Sequence, residues 1–193
     1  MVKPTGTGAT PETAEIWTWL DGIPDPEVPA ISIVDLGIVR DVRWDDTAAA
    51  RQLVVTITPT YSGCPAMDMI AQDIGATLRA NGVEAIRLET QLSPAWTTDW
   101  MSAKGREQLR AYGIAPPSGR SAVINFASFP RRARNLSAGD DRSSRAREST
   151  VVVSCPHCSS ANTECISEFG STACKAQFRC RDCLEPFDYF KSI

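Results

Sequence analysis

Up to Gly113 the apolar positions recur at two periods, and the alternation between those periods lays out the first part of the chain. Ile16, Trp17 and Leu20 sit at helical spacing behind Thr10-Pro11-Glu12-Thr13, where a threonine N-cap and a proline in the first turn predict a helix start. A turn rich in proline and acid, Pro24-Asp25-Pro26-Glu27-Val28-Pro29, leads into a strand in which Ile38, Val42 and Trp44 alternate imperfectly with Arg40 and Arg43. The run Leu53-Val54-Val55-Thr56-Ile57-Thr58 is dense in β-branched residues and stops at Pro59, so it predicts a second strand. From Pro65 onward Met67, Ile70, Ala71, Ile74 and Leu78 return to helical spacing and end near Asn81-Gly82. Ile86, Leu88, Thr90 and Leu92 then alternate with Arg87, Glu89 and Gln91, which predicts a third strand with one wet face. Thr98-Asp99 is expected to cap a last helix that runs to Gly113.

The order helix, strand, strand, helix, strand, helix predicts an α+β fold class, here a small α/β-layer domain with a mixed sheet and packed helices over residues 10–129. Residues 1–9 carry no periodicity and are expected to be disordered. Residues 130–150 hold six arginines and several serines with almost nothing to bury, the composition of a flexible linker. The remainder, residues 151–193, is expected to form an all-β ribbon with a hairpin around Phe169-Gly170-Ser171.

Charge narrows the partners. The formal balance of -3 gives no general attraction to nucleic acid or an anionic membrane, and the linker arginines are diluted by Asp140, Asp141 and Glu148. A nucleic-acid-binding ribbon is therefore the weaker alternative, to be revived by a salt-dependent shift with a duplex. No leader-like or bilayer-length apolar run is present, and seven cysteines, six of them crowded into the final third, suit a reducing compartment, so the cytoplasm is expected. His157 is the only histidine, which excludes a histidine-rich iron site and a zinc-histidine hydrolase and leaves a serine triad only with His157 as its lone base. Neither an acid–base pair nor a glycine-rich phosphate loop is evident, so no catalytic residue is assigned. The sequence leaves the oligomeric state open, a homodimer included.

Two C-x-x-C knuckles, Cys155-Pro156-His157-Cys158 and Cys180-Arg181-Asp182-Cys183, supply four soft thiolates. That donor set suits tetrahedral zinc in a closed structural site, with iron in an S4 site as the alternative; His157 reads as an exposed loop residue. Cys174 lies six residues from Cys180, roughly 20 Å along a strand, and so cannot share that metal. It reads equally as a spare thiol or a small buried hydrophobe. Cys64, between Gly63 and Pro65, is expected at the N-cap of the second helix, where free backbone N–H groups favour a thiolate. A thiolate there binds a soft metal transiently or meets an electrophile; the competing reading is a buried structural cysteine. Asp25, Glu27 and Asp35 are candidate accessory carboxylates, although acids beside prolines mostly form turns.

Three stretches, Asp25-Pro26-Glu27-Val28-Pro29, Val34-Asp35-Leu36-Gly37-Ile38-Val39 and Thr58-Pro59-Thr60-Tyr61-Ser62-Gly63-Cys64-Pro65, resemble the metal-sulfur cluster assembly domain of iron-sulfur maturation proteins. The segment from Ser167 to Ala176, the second knuckle, and Glu185-Pro186-Phe187-Asp188-Tyr189-Phe190-Lys191 resemble the D-subunit family of phenylacetyl-CoA epoxidase, a multicomponent ring oxygenase of aerobic phenylacetate degradation. The resemblance implies a non-catalytic accessory protein. Its partners would be a di-iron oxygenase subunit and a flavin and iron-sulfur reductase, bound either transiently for maturation or stably as a coupling subunit. It makes Cys64 and Cys174 candidate ligands for a transient iron or iron-sulfur unit and leaves the knuckle cysteines structural. Cys165 stands where the family pattern leads one to expect an apolar residue, and the Arg/Ser linker is longer than that pattern.

Overall fold

The computed structural model describes residues 10–47, 50–117 and 152–191. The disordered start expected over residues 1–9 and the linker expected over 130–150 lie outside the described residues.

Helix α1 (Thr13–Asp21) buries Ile16 and Leu20 completely. It starts later than the Thr10-Pro11 pattern predicts, because its cap is Glu12, whose backbone N–H donates to Glu15 Oε2 at 3.0 Å. Pro11 instead belongs to an extended lead, its carbonyl accepting from Trp44 Nε1 at 3.2 Å. Strands β1 (Val39–Asp45) and β2 (Gln52–Ile57) pair antiparallel, with a register shift between Val39 and Asp41. Helix α2 (Met67–Ala80) carries the chain over to β3 (Ile86–Thr90), which pairs parallel with β2 from Leu53↔Ile86 to Ile57↔Thr90. The sheet order is β1-β2-β3. Leu53, Val55 and Ile57 from β2 meet Ile16, Leu20, Ile70, Ile74 and Leu78 in one core, so the helical and strand periods point at each other as the pattern predicts. On the opposite face Val54 and Thr56 of β2 are buried between the charged residues of the edge strands, where Arg43 pairs with Asp41 at 2.7 Å and with Glu89 at 2.9 Å.

The last helix of this unit departs from expectation. Thr98–Trp100 forms one 3-10 turn, and α3 (Ala103–Ala111) begins anew with Ser102 as its cap, the Ser102 hydroxyl accepting from Gly105 N at 2.8 Å. Asp35 explains the break. Its carboxylate accepts from Ser102 Oγ at 2.6 Å and pairs with Lys104 Nζ at 2.8 Å, so the helix start is tied to the loop before β1. Only glycine fits at Gly105, where a Cβ would stand 2.7 Å from Ile31 Cδ1 and 3.0 Å from Asp35 O.

Beyond Gly113, which takes φ +90, Ile114–Ala115 form a short strand β4 that pairs parallel with a strand of the ribbon. The ribbon strands are β5 (Thr163–Ser167), β6 (Lys175–Cys180) and β7 (Pro186–Phe190), and the second sheet runs β4-β7-β6-β5. The two parts are therefore docked. Phe190 and Cys174 of the ribbon are buried in the core of the first part, with the Phe190 ring 5.9 Å from that of Trp96, while Ala115 of the first part is buried in the ribbon core. Trp96 is itself held by Leu36, whose carbonyl accepts from Trp96 Nε1 at 3.1 Å. No helix among the described residues is long and apolar enough to cross a membrane.

Candidate metal and thiol sites

The ribbon knuckles are built alike. In each, the residue after the second cysteine takes a positive φ, Ser159 at 62 and Leu184 at 67, which turns the chain back over the sulfurs. Cys155 N donates to Ser160 O at 2.9 Å and Cys180 N to Glu185 O at 3.0 Å. The tips are clamped together by Asp182, which accepts from Asn162 Nδ2 at 2.7 Å and from Ser160 Oγ.

This folding brings the four sulfurs within 4.8 Å of one another, with Cys155–Cys183 at 3.7 Å and Cys158–Cys180 at 3.6 Å. A tetrahedron with metal–sulfur bonds of about 2.3 Å has edges of about 3.8 Å, so the geometry fits a four-thiolate metal. The N–H of Cys183, with that of Asp182, lowers the Cys180 thiol to about 7, while burial and the neighbouring sulfurs push the Cys183 thiol up to about 12. His157 is exposed and packs against Gly113, outside the donor set. Cys165 lies on β5 against the ribbon core, and burial pushes its thiol up.

A second group of thiols lies at the seam where the ribbon meets the first part. Cys174 is 3% exposed; its Sγ is 3.0 Å from Thr172 Oγ1 and 3.8 Å from Glu27 Oε2, a contact that joins residues 147 apart in sequence. Burial, with Glu27 adding to it, pushes this thiol up to about 11. Cys64 packs against the same core from the loop before α2, beside Tyr61. The helix cap there is Ala66, not Cys64, and this corrects the expected thiolate. The Cys64 thiol does receive the Ala66 backbone N–H, but burial and the nearby Glu27 carboxylate outweigh it, and the pKa is raised. Tyr61, hydrogen-bonded to Cys64 and close to the charges of Glu27 and Cys174, is pushed up to about 12, chiefly by burial.

The three carboxylates divide. Glu27 is at the seam. Asp25 lies beside it, but Asp25 Oδ1 accepts from Glu27 N at 3.0 Å and Val28 N at 2.8 Å, the turn-forming arrangement expected of an acid before proline. Burial raises the Asp25 pKa, and these two N–H donors, with a smaller contribution from buried Lys175, offset part of that rise. Asp35 is not at the seam; it anchors α3 as described. Among the described residues, the ribbon quartet is the one group of three or more His, Cys, Asp or Glu whose donor atoms lie within 4.8 Å of one another. Tyr61, Thr172 and Lys175 escape sequence reasoning because no spacing rule joins them; Tyr61 alone carried a signal, standing three residues before Cys64.

Comparison with known proteins finds a separate family model for each part of the chain. Residues 13–87 match the family model described as an iron-sulfur cluster assembly protein, and residues 139–191 match that of the PaaD zinc beta ribbon domain. The chain is 46% identical over 187 residues, 97% of each chain, to an Escherichia coli protein named as the putative D-subunit of 1,2-phenylacetyl-CoA epoxidase. It is 33% identical over 86 residues, 44% of this chain and 78% of the other, to a Porphyromonas gingivalis protein named "Fe-S protein maturation auxiliary factor". A crystal structure of a domain of unknown function from Bacillus anthracis aligns with a TM-score of 0.45 and 31% identity, covering 50% of this chain and 89% of that one.

Proposed function

The chain belongs to the D-subunit family of phenylacetyl-CoA epoxidase, and on that premise we propose that it is a non-catalytic maturation factor for the iron or iron-sulfur centres of a multicomponent phenylacetyl-CoA ring oxygenase in aerobic phenylacetate degradation. Cys155, Cys158, Cys180 and Cys183 hold a structural zinc, which supplies a four-way crosslink to a ribbon with little core of its own. Cys64, with Cys174 across the seam, holds the iron unit in transit, and Glu27 is the nearby carboxylate.

The observation that carries this reading is the setting of the seam thiols: Cys174, 3% exposed, has the Glu27 carboxylate 3.8 Å away, and among the described residues only the ribbon quartet gathers three or more donors within 4.8 Å of one another. A thiol near 11 is about one part in ten thousand thiolate at pH 7, and a metal that binds it must expel that proton. A site with fewer converging donors holds its cargo weakly by comparison with the four-thiolate quartet, as delivery requires. The relatives named for iron-sulfur assembly and maturation support the same reading.

The test is the iron content, with turnover, of the partner oxygenase and reductase isolated from cells with and without this chain. Iron-poor, inactive partners that recover with the wild-type protein and not with Cys64→Ser are expected. Fully loaded partners that are inactive only while the chain is missing would overturn the maturation role and make the protein a working subunit.

A further inference from the structure

Strand β6 has a thiol centre at each end. Cys180, a knuckle cysteine, closes it, and Cys174 stands immediately before its first residue, roughly 20 Å away along the strand. The backbone of Cys174 is fixed by the end of β7, since Lys191 N donates to Cys174 O at 2.9 Å. Farther along the same hairpin, β6 and β7 share the ribbon core through Phe178 and Phe187, whose rings stack at 5.9 Å. The position of Cys174 against Glu27 thus depends on a hairpin, and the hairpin depends on the ribbon core.

That core is small. Ala115, Val153, Ala176, Phe178, Phe187 and Tyr189 are buried in it together with Cys155 and Cys180, so two of its buried side chains are themselves metal donors. A core of this size does not stay folded without its metal. The docking contacts belong to the same hairpin. Phe190 against Trp96 and Cys174 against Glu27 come from β7 and the start of β6, and in the second sheet β4 pairs with β7 alone.

From these connections we infer that the metallated ribbon is the positioning device for Cys174: the knuckle metal, through β6 and β7, sets whether the seam has its second thiol. The inference rests on the handover reading for its purpose, although the coupling is testable without it. By linkage, a metal bound across Cys64 and Cys174 also raises the affinity of the knuckles for theirs.

The test uses the full chain under anaerobic conditions, zinc-loaded, chelator-stripped and zinc-restored, with each cysteine's alkylation rate read by mass spectrometry. Cys174 is expected to react slowly in the loaded protein, at least about tenfold faster once stripped, and slowly again after zinc returns. If Cys174 stays protected while Cys155, Cys158, Cys180 and Cys183 react, the coupling is wrong. Trp96 fluorescence, assigned by comparison with Trp96→Phe, should shift red on stripping and recover with zinc; an unchanged Trp96 signal would equally overturn the inference. Cobalt(II) added to the zinc-loaded protein separates the two readings. A thiolate-to-cobalt band that disappears in Cys64→Ser supports the seam as a metal site, whereas its absence alongside zinc-dependent protection of Cys174 would remove the handover reading and leave the coupling standing.

Discussion

The ribbon quartet and the seam pair use the same element in opposite ways. At the knuckles, backbone turns bring four sulfurs within 4.8 Å of one another, and backbone N–H groups hold Cys180 down near 7 while burial and the neighbouring sulfurs push Cys183 up to about 12. At the seam, Cys174 and Cys64 are wholly and partly covered, lie near Glu27 and Asp25, and are both pushed up. Convergence of four sulfurs makes a site that keeps its metal; burial beside carboxylates, without that convergence, makes one that must be driven to accept it. The difference lies in what surrounds the sulfurs.

The largest effect should come from breaking the ribbon side. Cys183→Ser is expected to cost the protein its full equivalent of zinc, with loss of amide protection across β5, β6 and β7, because folding of such a module draws on a metal-binding free energy of order 10 kcal/mol. Zinc analysis and hydrogen exchange check it; retention of zinc with intact protection would mean that three thiolates suffice. A smaller effect sharpens the seam side. Cys174 titrates near 9.0 in an unfolded chain and about 11 here, so the unfolded state loses its proton first and stability falls as pH rises through that window. The loss should approach about 3 kcal/mol for a two-unit shift, seen in urea melts between pH 9 and 11, and Cys174→Ala should flatten it. The smallest concerns Asp35, which belongs to neither thiol group. Asp35→Asn should weaken the α3 anchor by about 1–2 kcal/mol in the same melts. Its alkylation profile at Cys64 and Cys174 should match wild type; a change there would place Asp35 in the seam after all.

Much of this was legible in the sequence, and what was not has a common cause. Periods of two and 3.6 report which face of an element is apolar, so β2, α2 and the packing of Ile70, Ile74 and Leu78 follow from the pattern. The knuckle quartet followed from spacing because its partners are close in sequence within each pair. Trp96 against Phe190 and Glu27 against Cys174 join residues far apart, and a period says nothing about a distant partner. The misplaced Cys64 cap is a local error of two residues: Pro65 and Ala66 turn before the helix begins, so the N–H that reaches the Cys64 thiol is that of Ala66. The continuous last helix failed because Asp35, a residue from another loop, supplied a better start at Ser102.

The strand order of the second sheet bears on synthesis. In the order β4-β7-β6-β5, strand β7 is an interior strand although it is made after its three sheet partners. Strand β4 and the Trp96 surface are made many residues earlier and wait for their ribbon partner until β7 emerges. At roughly 5–20 residues per second, the nascent chain shows that apolar surface for several seconds. A premature stop codon before Pro186 would make that exposure permanent, and such truncated products should be bound by chaperones rather than accumulate as a free first domain.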